Sequence, residues 1–164
     1  MTKNVKWNYV VLIISFYISF SFVGKNTPTE GLTIGDKAPT FTICCEKQLF
    51  DLKDLRGKYV LLSFWASYDA LSRMQNATLN HAVAQADNVE MVSVSFDEYK
   101  SIFNETIKKD QISTSNCFVE LAGVSSDLYQ TYRLKRGFKN FLLDENGVIV
   151  AKDVTVSELS SYLN

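Results

Sequence analysis

The run "YVLLSFWA", Tyr59 to Ala66, is apolar almost without alternation. A strand with one wet face alternates apolar and polar side chains. A run that does not alternate is covered on both faces, as in the middle of a sheet flanked by helices. This one segment restricts the chain to layered α/β architectures.

The flanking segments supply the layers. "TFTIC" is a short β-prone run, and "DLKDLRGK" after it reads as a polar helical turn or loop ending at Gly57. From Asp69 to about Ala86, Leu71, Met74, Leu79, Ala82, Val83 and Ala86 recur near helical spacing without an interrupting glycine or proline. Asp69 or Ser67 can cap that helix. Val89 to Phe96 predicts a second inner strand, and "DEYKSIFNETIKKD" an amphipathic helix carrying Tyr99, Ile102, Phe103 and Ile107 on one side. Cys117 falls in a further short strand, and Ser125 or Ser126 can cap a short helix with Leu128, Tyr129 and Tyr132. Asn146-Gly147 between two apolar runs is a hairpin signal, and "TVSELSSYL" closes the chain as a helix capped by Thr155 or Ser157. This alternation predicts one parallel or mixed sheet.

The first residues differ in kind. Lys3 and Lys6 precede the uncharged apolar stretch Tyr9 to Gly24, after which polar "KNTPTEG" begins. That is the grammar of an export signal. It is about the length of a signal-peptide core and short for a membrane span of roughly 20 residues. Cleavage after Ser21 meets the small-residue rule, but aromatic Phe20 and Phe22 surround it, so residues 1–24 read as either a signal peptide or an N-terminal membrane anchor. Residues 25–34 then read as a linker and 35–164 as one domain. Either reading exports the domain, to the periplasm or the outer face of the cytoplasmic membrane.

A formal net charge of -1 argues against nucleic acid, which rewards a basic excess. The three cysteines, Cys44, Cys45 and Cys117, with the lone His81 do not make a metal-ligand set. His81 reads as a surface or boundary side chain of the first helix. The triplets at Asn76 and Asn104 match N-glycosylation acceptors and are short enough to arise by chance.

"GDKAPTFTI", "DLKDLRGKYVLLSFWAS", "KSIFNETIKKDQIS" and "NFLLDENGVIVAKD" occur in an order and spacing that resemble the thioredoxin fold, more closely the TlpA/ResA-like thioredoxins of bacterial envelopes within the AhpC/TSA redoxins. The resemblance covers about Gly31 to Asn164. It implies a three-layer α/β/α sandwich with a central mixed sheet and no cofactor. In that family the Trp-Ala-Ser phrase leads through an aromatic residue into Cys-x-x-Cys. Here the corresponding residues are Tyr68, then Asp69, Ala70, Leu71 and Ser72, followed by Arg73. The family's cis-proline position falls on Phe138, and the only prolines are Pro28 and Pro39. A cis bond before Phe138 would cost about 2.5–4 kcal/mol, so the bond is expected trans.

Thiol–disulfide exchange needs a thiolate that attacks sulfur. Asp69 can cap a helix but cannot form a mixed disulfide, and the hydroxyl of Ser72 has no redox chemistry. Three functional readings follow. The former active face, bearing Trp65, Tyr68, Asp69, Arg73 and Phe138, binds a peptide or protein; or that face is only a capped helix end. Alternatively, thiol chemistry has moved to Cys44, Cys45 or Cys117, the first two as a vicinal disulfide or as one core and one exposed residue. A hydrolytic site at Ser72 is rejected, because His81 lies two to three turns away on the same helix and cannot act as its base.

Overall fold

The computed structural model describes residues 27–45, 48–113 and 115–163. The segment read as signal or anchor lies outside them. The elements are strands β1 (Thr42–Cys45), β2 (Gln48–Asp51) and β3 (Tyr59–Trp65), helix α1 (Ala70–Val83), β4 (Val89–Ser95), α2 (Lys100–Lys109), β5 (Cys117–Val119), α3 (Asp127–Thr131), β6 (Asn140–Leu143), β7 (Ile149–Lys152) and α4 (Val156–Leu163).

Five strands form one mixed sheet in the order β5-β4-β3-β6-β7. β3 sits at its centre, parallel to β4 and antiparallel to β6, and Val60 through Trp65 are all buried, as the unbroken apolar run requires. On one face Leu61, Met91 and Leu142 pack with Leu79 and Val83 of α1 and Leu159 of α4. On the other, Val60, Leu62, Phe64, Val94, Phe96 and Phe141 pack with Leu128, Tyr132 and Ile43. The result is the α/β/α sandwich, with the hairpin β1–β2 helping α3 to cover the second face.

The segment after "TFTIC" holds a strand the sequence reading did not contain: β2 pairs antiparallel with β1, followed by a 3₁₀ turn over Leu52–Leu55. Leu52 is buried there and Asp51 caps the turn, accepting from the Lys53 N–H at 2.9 Å. The expected hairpin forms between β6 and β7, but its connection is longer than two residues. Asp144 Oδ1 accepts from the backbone N–H groups of Asn146 and Val148 at 2.9 and 2.8 Å, and Gly147 supplies φ +74°.

Residues 29–34, read as linker, are stitched to the domain. Gly31 N donates to Lys37 O at 3.0 Å, Lys37 N to Thr29 O at 2.8 Å, and the Lys152 amine to Leu32 O at 2.9 Å. Tyr132 ties the same region down: its hydroxyl donates to Pro39 O at 2.6 Å, and burial pushes this phenol well above its usual range.

Candidate functional site

The end of β3 and the start of α1 form the face that the sequence singles out. After Trp65 the chain turns through Ala66, Ser67 and Tyr68, and Asp69 enters with extended φ −98° as the N-cap of α1. Its Oδ1 accepts from the Ser72 N–H at 2.8 Å, meeting one of the donors a helix start leaves open. Ser72 is buried, and its hydroxyl donates to Asp69 O at 3.2 Å. Asp69 and Ser72, the two residues that the resemblance sets in the cysteine places, are thus bonded to each other as a helix start.

A residue that sequence reasoning misplaced holds the turn. Asp97 does not lie in a helix, because α2 begins at Lys100; it is 3% exposed, just past the end of β4. Its Oδ1 accepts from the N–H and hydroxyl of Ser67 at 3.0 and 2.6 Å, and its Oδ2 from the hydroxyl of Ser95 at 2.7 Å. A carboxylate with three donors fixes the β3–α1 turn against the neighbouring strand. The available signal was "SFD" directly after a buried strand, an acidic residue where the chain has not yet left the core.

Trp65, expected on the binding face, is fully buried and is corrected to a core residue. Its indole N–H donates to Ser93 Oγ at 2.8 Å, and Ser93 donates in turn to Asn76 Oδ1 at 2.8 Å. Farther along α1, Asn80 Oδ1 accepts from the N–H and hydroxyl of Ser113 at 3.0 and 3.2 Å. The buried side of α1 is therefore largely polar, with Ser72, Asn76 and Asn80 beside Leu79 and Val83, while Leu71 and Met74, expected inward, are 62% and 60% exposed. Asn76 is occupied inside the protein, so its glycosylation triplet is not presented at the surface. His81 is exposed, as read.

Tyr68 is 65% exposed, and its ring lies 6.3 Å from that of Phe138. Partial burial, then the charge of Tyr129 and of the carboxylates around it, raises the Tyr68 phenol above its ordinary value. Phe138 stacks on Phe96 at 5.9 Å and meets Tyr129 edge-on at 6.3 Å, so the position that the resemblance gives to the cis-proline is filled by an aromatic cluster. No described residue is preceded by a cis peptide bond, Phe138 included. Arg73 turns sideways: Nε and Nη2 each donate to a separate oxygen of Asp110 at 2.6 Å, joining α1 to the end of α2. Those hydrogen bonds raise the guanidinium pKa and hold the Asp110 carboxyl below its usual range.

Of the named site residues, the fold brings Tyr68, Asp69 and Phe138 together at the surface, pairs Arg73 away from them and buries Trp65. The cysteines lie elsewhere. Cys44 is exposed on β1, and Cys117 is half-buried on the edge strand β5; both line one groove of about 840 Å³ with Phe50 and Phe118. The side chain of Cys45 lies outside the described residues.

A helix N-terminus at the end of the central strand, facing the start of an antiparallel β6, defines a thioredoxin-like protein. The AhpC/TSA family model matches residues 34–152, and the chain belongs to that family. It is 25% identical over 161 residues to the thiol-disulfide oxidoreductase ResA of Bacillus cereus, spanning 94% of this chain and 91% of that protein. Among solved structures, a thioredoxin-like protein from Parabacteroides distasonis is 41% identical, covers 84% of this chain and 98% of its own, and superposes with a TM-score of 0.73. A thiol-disulfide oxidoreductase from Bacteroides fragilis is 29% identical with a TM-score of 0.66, covering 78% and 97%.

Proposed function

We propose that this chain is an exported or membrane-tethered thioredoxin-fold protein that binds a peptide or protein partner at the face around Tyr68, Asp69 and Phe138, without dithiol exchange there. The observation that carries this is the bonding of Asp69 to Ser72 at the start of α1. A nucleophile must be free to attack, whereas Asp69 is committed to the helix it caps. Export is supported by Lys3, Lys6 and the apolar stretch that follows them. Around the cap, Tyr68, Leu71 and Met74 offer exposed apolar side chains of the kind that partner surfaces use.

The test is capture from cell-envelope extract with the wild-type chain and with Tyr68→Ala plus Leu71→Ser. Loss of a partner from the variant supports the reading. Identical partner lists overturn use of this face.

A second reading keeps a redox role in the cysteines at 44, 45 and 117, favoured by the exposure of Cys44. It requires thiol-dependent turnover that disappears in Cys44→Ser.

A further inference from the structure

The loop "RLKRGFK" runs from the end of α3 to the start of β6. Leu134 is buried and Phe138 half-buried, so these two side chains pin the loop inward and its cations turn out. Arg133, at φ +53°, and Gly137, at φ +117°, make the reversals that allow this. Together with Lys152 of β7, the cations Arg133, Lys135, Arg136 and Lys139 line an open groove of about 720 Å³ whose only carboxylate among the described residues is Asp36. Five of the chain's 17 Lys and Arg residues thus share one groove with one of its 18 Asp and Glu residues.

Little inside the protein neutralises them. Lys139 faces Asp153 at 3.7 Å, and Lys152 spends its amine on Leu32 O and the ring of Phe141. Asp36 accepts from the Thr33 N–H at 2.9 Å and from the Thr29 hydroxyl at 3.4 Å. Among the described residues Arg133, Lys135 and Arg136 make no ion pair. In a chain of net charge -1, such a concentration of unpaired cations in a concavity is matched to an anion.

Gly31, Leu32 and Thr33 also line this groove. Only six residues separate Gly31 from Gly24, the end of the apolar stretch, and the seven steps between the two glycines reach at most about 25 Å. We propose that the groove binds the phosphate groups of anionic phospholipids and so fixes how the domain stands on the membrane that its N-terminal segment enters. The proposal rests on the tethered reading above. Each basic side chain near an anionic surface strengthens adsorption by about fivefold, and salt screens the effect within roughly a nanometre.

The test uses the full chain in nanodiscs of phosphatidylcholine alone or with phosphatidylglycerol, measuring acetylation of Lys135 by mass spectrometry with exposed Lys108 as the internal reference. The expected result is labelling of Lys135 several-fold slower in the anionic discs, restored by high salt. In Arg133→Gln plus Arg136→Gln that protection falls, while Lys108 is unchanged. Retention of the chain in both disc types with equal Lys135 rates overturns the groove proposal alone. Equal protection in neutral discs by free glycerol phosphate overturns the membrane as the source of the anion. Release of the chain from both disc types overturns the tethering, and the groove's membrane role with it.

Discussion

Asp69→Ala removes the acceptor that the Ser72 N–H uses at 2.8 Å and the negative charge at the positive end of α1. The lost cap costs about 1 kcal/mol, and the lost charge–dipole interaction about 0.5 kcal/mol at this half-exposed position. The sum, about 1.5 kcal/mol, corresponds to a fall in Tm of roughly 3–6 °C for a domain of this size. Asp69→Asn keeps an acceptor oxygen and loses only the charge, so it should cost about a third as much, and high salt should narrow its gap from wild type. Urea denaturation of the three proteins, followed by far-ultraviolet circular dichroism at low and high salt, gives both differences. An Asp69→Ala protein within about 0.3 kcal/mol of wild type, below even a weak cap, would refute the assignment of Asp69 as a structural cap. So would an Asn variant as unstable as the Ala variant.

Three further outcomes follow from contacts elsewhere. Arg73 holds the Asp110 carboxyl below its unfolded value, so the bridge stabilises the fold above that unfolded value, near 3.9, and the contribution is lost as pH falls through the lower folded one. Asp110→Asn should therefore destabilise at pH 7 by about 1–2 kcal/mol and by much less near pH 2, as read from urea midpoints at the two pH values. Asn76→Ala removes the acceptor of Ser93 in a buried chain that begins at the Trp65 indole; a loss of about 2 kcal/mol is expected in urea denaturation. Brief alkylation of the native protein should modify Cys44 before Cys117, since the first is exposed and the second half-buried; peptide mass mapping reads the order.

The parts of the fold legible in the sequence were those where hydrophobic burial alone sets the pattern. "YVLLSFWA" has no polar side until Ser63, and it became the centre of the sheet; Asn146-Gly147 marked the hairpin. The start of α1 was legible for a different reason, because an aspartate ahead of a helical run has a local partner in the backbone. Leu71 and Met74 misled because helical periodicity assumes an apolar floor. Here the floor under α1 carries Ser93 and the Met91 sulfur, and Asn76 and Asn80 sit on it. Asp97 was misplaced on the same grounds: its partners Ser67 and Ser95 lie 30 residues and two residues away, and only the parallel pairing of β3 with β4 joins them. Strand β2 is four residues of mixed polarity whose pairing with β1, not its composition, makes it a strand.

Reduction of a protein disulfide by the purified chain, with and without Asp69→Cys plus Ser72→Cys, tests most directly whether the start of α1 is a cap in place of a redox centre. The wild type should give no turnover that cysteine alkylation abolishes. The double variant should gain weak turnover, raised again by Phe138→Pro, because the frame around the two positions is that of the family. Alkylation-sensitive turnover by the wild type, or a folded triple variant with none, would contradict the account.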